Sequence, residues 1–112
     1  MTYQDFIRLV MDASEFASVD AYISDVGGSV PSSVSDDHVI PLLNACWAYS
    51  HDKSVSALRA ITDMSRAELS RVYRIPLRSL ENWESTTKAN ARSAPPYVLD
   101  LLAYAIITDM LI

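Results

Sequence analysis

The stretch 96–111 (PYVLDLLAYAIITDML) constrains the fold more than any other part of the chain. Val98, Leu99, Leu101, Leu102, Tyr104, Ile106, Ile107, Met110 and Leu111 fall on nearly every face of a helix. A helix without a polar face must be buried from more than one side. Pro95-Pro96 sets its start, because proline suits the first helical turn. Asp100 and Asp109 lie inside it, which makes it too short and too charged for a comfortable membrane span. It therefore needs cover, either from the helices that precede it or from a second copy of the chain.

What precedes it is also helical by pattern. Hardly any segment alternates with period two, and the only glycines are the pair Gly27-Gly28. The 112 residues suit one domain or two very small ones. Half of them are apolar and 21% are charged, which excludes a disordered chain. Cys46 is alone, so no disulfide framework is possible, and a reducing, cytoplasmic setting is the natural reading. Asp5 and Arg8 stand where a secretory leader would need an apolar run.

Tyr3, Phe6, Ile7 and Val10 have helical spacing. Ser14 or Ser18 caps a second helix reaching about Val26, where Gly27-Gly28 stops it by accepting a left-handed conformation. Residues 27–34 form a loop. Ser35-Asp36-Asp37 starts a third helix that runs to about Tyr49, with Pro41 kinking it or delaying its start. A fourth helix follows Ser54 on Val55, Leu58 and Ile61.

Charge divides the chain near residue 52. Residues 1–52 hold eight acids against Arg8 alone, a net of −7, whereas residues 53–112 hold eight bases and six acids, a net of +2. The overall −5 therefore conceals a mildly basic half. Two regions follow: an acidic helical extension over 1–52 and a second helical unit over 53–112.

Residues 65–85 read SRAELSRVYRIPLRSLENWES. Ser65 and Glu68 make a capping box for a helix over about 65–73. Leu69, Val72 and Tyr73 form its inner face, and Ser70 is small enough for a second helix to cross closely. Arg74-Ile75-Pro76 is a tight turn, with Ile75 plugging the core. Pro76 opens a helix over about 76–85 that buries Leu80 and Trp83 and leaves Arg78, Ser79, Glu81, Asn82 and Ser85 outside.

This segment resembles the helix-turn-helix of lambda-repressor/Cro-like regulators, the XRE family, through Ser65, Glu68, Leu69, Ser70, Tyr73, Ile75, Pro76, Ser79, Leu80, Trp83 and Glu84. The likeness covers about residues 54–112. Arg74 departs from it, standing where the family prefers glycine, which implies a left-handed arginine at a cost of roughly 1 kcal/mol. The resemblance implies an all-α, repressor-like domain that binds double-stranded DNA as a homodimer. Its second helix would enter the major groove. Leu77, Arg78, Glu81, Asn82 and Ser85 would then face the bases: arginine pairs with guanine, asparagine with adenine, glutamate with cytosine, and leucine touches a thymine methyl. Ser65 at its helix N-terminus, Arg66, Arg71, Arg74, Lys88 and Arg92 would face phosphates. Glu84 is expected to pair locally.

Other chemistry finds little support. His38 and His51 flank Cys46 without metal-ligand spacing, so no metal or other cofactor is expected. Neither a nucleophile elbow nor a phosphate-binding glycine loop is present, so an enzyme is not expected. Two functions remain. One is a sequence-specific transcriptional regulator of phage or mobile-element type. The other is a protein-binding inhibitor, anti-CRISPR- or antitoxin-like, whose acidic half contacts a basic partner surface. No membrane partner is expected.

Overall fold

A computed structural model describes residues 1–84 and 94–111 of the chain. All its regular elements are helical: α1 (Tyr3–Ala13), α2 (Val19–Val26), a 3-10 turn (Gly27–Ser29), α3 (Asp36–His51), α4 (Val55–Thr62), α5 (Arg66–Tyr73), α6 (Leu77–Glu84) and α7 (Pro96–Leu111). No strand occurs among the described residues. The chain is an all-α protein.

Local polar chemistry sets the helix starts. The Thr2 hydroxyl accepts from the Asp5 amide at 3.1 Å while Asp5 Oδ2 accepts from the Thr2 amide at 3.0 Å, a closed capping box for α1. Ser18 caps α2 by accepting from the Ala21 amide at 3.1 Å, whereas Ser14 closes the end of α1 by donating to the Met11 carbonyl. Gly27 and Gly28 do not adopt the left-handed stop expected of them. Gly27 is right-handed at φ −55°, and the chain tightens into the 3-10 turn instead. Pro41 does not delay α3, which begins at Asp36 and continues past it. The proline lies exposed, and the carbonyl that loses its amide partner belongs to Asp37, an exposed residue.

Helix α7 is covered as its composition demands. Leu99, Leu102, Ala103, Ile106 and Ile107 are buried, and α1, α3 and α4 all pack on the helix. The N-terminal helices thus provide the cover, through Phe6, Leu9, Val10, Leu42, Leu43 and Tyr49 in one hydrophobic core with Leu58, Leu69 and Leu80. Cover is incomplete, since Tyr97, Leu101 and Met110 stay at least half exposed.

The two acids within α7 are satisfied by tyrosines from other helices. Tyr49 Oη donates to Asp100 Oδ1 at 2.6 Å, and Tyr73 Oη donates to Asp109 Oδ2 at 2.9 Å. Burial, reinforced by that bond to Asp109, pushes the Tyr73 hydroxyl up to about 12. A helix that reads as apolar on all sides is thereby fixed in register at both ends, to α3 and to α5.

Candidate nucleic-acid interface

The α5–turn–α6 unit is built from its caps. The Ser65 hydroxyl accepts from the Glu68 amide at 3.1 Å, and Glu68 Oε1 accepts from the Ser65 amide at 3.3 Å. At the other end of α5, Arg74 is left-handed at φ 54°, ψ 42°. Asp63 ends α4 in the same conformation at φ 56°. In this region a side chain crowds the following carbonyl. Two ties to Ser70 hold the turn in place. Its carbonyl accepts from the Ile75 amide at 3.1 Å as well as from Arg74, and its hydroxyl donates to the Ile75 carbonyl at 2.5 Å. Ser70 thus closes the turn with its hydroxyl as well as admitting a neighbour by its size.

Leu69 and Leu80 are fully buried, and Tyr73 and Ile75 pack against the same core. Val72 does not join them and is 52% exposed. The inner stripe of α5 is Leu69, Ser70 and Tyr73, and Val72 falls about 60° outside its Leu69 edge. Trp83 is half-buried rather than enclosed. It lines a cleft with Val55, Ala94 and Leu99.

Glu84 has the most constrained side chain of the unit. Only 1% of it is exposed. It accepts from Ser56 Oγ and from Arg59 Nε, both at 2.9 Å, and from Arg66 Nε. Burial raises the proton affinity of this carboxyl. The bonds from Arg59, Arg66 and Ser56 outweigh that, and it is held below the usual carboxylate range. The end of α6 is therefore clamped to α4 and to the first turn of α5. Arg59 and Ser56 lie 25 and 28 residues from Glu84, too far for any local spacing to reveal the clamp.

With this frame fixed, Leu77, Arg78, Glu81 and Asn82 line one open concavity on the outer side of α6. These are four of the five residues expected to face bases. Ser65, Arg66, Arg71 and Arg74 are exposed, as phosphate contacts must be. Arg66 differs from the other two arginines in being held by Glu84. Ser85, Lys88 and Arg92 lie outside the described residues.

Elsewhere, Asp12, Glu15, Asp20, Asp25, Asp36, Asp37 and Asp52 are all exposed. Cys46 is buried, which pushes its thiol up to about 12. His51 bonds Ser50 and the Trp47 carbonyl, and His38 bonds Ser35. Among the described residues no three His, Cys, Asp or Glu side chains are gathered to hold a metal ion, and no helix is long and apolar enough to cross a membrane. No protein-family model, no curated protein and no solved structure matches the chain.

Proposed function

We propose that the chain is a sequence-specific DNA-binding regulator of transcription that lays α6 in the major groove. The observation that carries this reading is the outer face of α6. There exposed Leu77, Arg78 and Glu81 and half-buried Asn82 line one open concavity, on a helix held by the Ser70 turn and the Glu84 clamp. Arginine and asparagine are the side chains best suited to bidentate pairing with guanine and adenine. Exposed Arg71 and Arg74 add positive charge at the turn. The net acidity of the chain does not oppose this, because the acids of residues 1–52 lie on segments other than α5 and α6. A twofold homodimer would read half-sites about 34–36 Å apart.

The test is selection from a random duplex library at low salt with the full chain. An enriched motif, weakened by Arg78→Ala, supports the reading. A library that emerges without enrichment overturns it. The exposure of the N-terminal acids favours a second reading, in which that surface holds a basic partner protein. A full chain without duplex preference that forms a salt-sensitive complex with a basic nucleic-acid-binding protein would favour it.

A further inference from the structure

Helices α3, α4 and α7 leave an open groove of about 260 Å³ between them. Pro41, Ala45 and Ala48 form its α3 wall, Ile61 its α4 wall, and Met110 and Leu111 its α7 wall. We propose that this groove docks a basic amphipathic helix of a partner protein, apolar on the face that enters and bearing lysine or arginine beside that face. The proposal is independent of the DNA-binding reading. It rests on the basic-partner reading and narrows it from a whole acidic surface to one groove.

The walls ask for an apolar face. Asn44 is the single polar side chain among the residues that line the groove. Met110 is 50% exposed on the α7 side, and Ile40, one turn before Asn44, is 57% exposed. Apolar surface gathered in this way and edged by polar groups marks a protein contact. Positions 41, 45 and 48 fall on one stripe of α3. The alanines there let a second helix approach closely, since the side chains at a contact set the distance between helix axes.

Charge decides the kind of helix. Asp37 stands one turn before Pro41, and Asp52, the C-terminal cap of α3, one turn beyond Ala48. Asp63, the left-handed cap of α4, follows Ile61 by two residues. All three are exposed, and no salt bridge among the described residues engages them. No lysine or arginine lines the groove. Lys53, beside Asp52, approaches Asp100 instead, and Arg59, two residues before Ile61, is held by Glu84. A second copy docked groove to groove would bring these acids against their own kind, whereas cations flanking an apolar stripe would meet them favourably.

Size agrees. Pockets for drug-sized ligands run to roughly 300–1,000 Å³, so this groove takes side chains from something larger lying across it. The α3 edge from Asp37 to Asp52 is roughly 22 Å long at ~1.5 Å per residue, about four turns of helix. A partner helix of that length sets apolar side chains in the groove and a cation near each end.

The probe is a fluorescein-labelled peptide of about 15 residues, matched to that edge, with leucines at helical spacing and lysines elsewhere. One control carries glutamate for lysine. Another is a scramble that keeps the composition and loses the apolar face. Fluorescence anisotropy with the full chain at low salt should show saturable binding of the leucine–lysine helix, with both controls about tenfold weaker. Ala48→Trp, at an exposed position, fills the groove and should weaken binding about tenfold. Asp37→Lys with Asp52→Lys should weaken it several-fold, a difference that shrinks at about 1 M salt. Asp20→Lys with Asp25→Lys changes the net charge by the same amount on α2, which does not line the groove, and should weaken it clearly less. Equal binding of the scramble, or equal losses from the two aspartate pairs, would overturn the groove and leave the basic-partner reading standing. Undiminished binding by Ala48→Trp would do the same. The absence of saturable binding would also overturn the proposal. A dimer in sedimentation that Ala48→Trp disperses would overturn it by making a second copy the occupant. Should Ala48→Trp fail to fold, Asn44→Trp, at another exposed lining position, takes its place.

Discussion

The Tyr49 hydroxyl donates to Asp100 Oδ1 across 2.6 Å, a bond between helices α3 and α7 spanning 51 residues of sequence. Tyr49 is fully buried, and Lys53 Nζ approaches the same carboxylate at 3.9 Å. Tyr49→Phe keeps the ring and leaves Asp100 with only the half-exposed lysine. Unfolding in urea should show a loss of about 1.5–3 kcal/mol, the range for a hydrogen bond to a charged group. A loss under about 0.5 kcal/mol would mean that water replaces the hydroxyl at no cost.

Glu84 should give the protein an acid-sensitive limb. Its folded-state proton affinity is depressed, so its contribution is fully present above the unfolded glutamate value near 4.3 and is lost as pH falls through the lower folded value. Urea midpoints between pH 6 and 3 should fall more steeply in the wild type than in Glu84→Gln. At pH 7 that variant should lose about 1–3 kcal/mol. This is less than for a fully enclosed ion pair, because Arg59 and Arg66 keep 28% and 45% of their side-chain exposure. Parallel acid limbs in the two proteins would remove Glu84 as the source.

Arg74→Gly should separate stability from binding. Glycine relieves the left-handed strain at φ 54°, raising stability by roughly 1 kcal/mol. On the proposed DNA-binding reading the same change deletes a charge that would face phosphate, so duplex affinity should fall on every sequence alike and the salt slope should drop by about 1. Calorimetry and a salt titration of duplex binding check the two halves independently.

Within α6 the effects should differ by position. Arg78→Ala and Asn82→Ala should each cost about 1–3 kcal/mol on the preferred duplex and relax the preference at one base pair. Arg71→Ala should weaken all duplexes equally. Competition against single-base variants of the selected site distinguishes the two patterns.

Much of this was legible in the sequence, for a physical reason. The Ser65–Glu68 box, the start at Pro96 and the inward Leu69 and Leu80 depend on neighbours within a helical turn or two, and such neighbours can be read from spacing. Arg74 could be placed because a tight turn between α5 and α6 leaves few backbone choices. The pairs that span the fold could not be read in this way. Tyr73 and Asp109, or Glu84 and Arg59, meet only after α4, α5, α6 and α7 have packed. Val72 and Gly27 show the opposite limit. Residue type suggested burial for one and a left-handed stop for the other, and packing geometry settled each differently.

The placement of α7 bears on how this protein can be taken apart. The helix packs against α1, α3 and α4, and Asp109 holds Tyr73 of α5. A fragment cut at residue 52 would remove Phe6, Leu42 and Leu43 from the core that also holds Leu102 and Ile106. The acidic helices are thus not a detachable appendage. A substitution that loosens α1 or α3 therefore also loosens the helix whose Asp109 holds Tyr73 of α5.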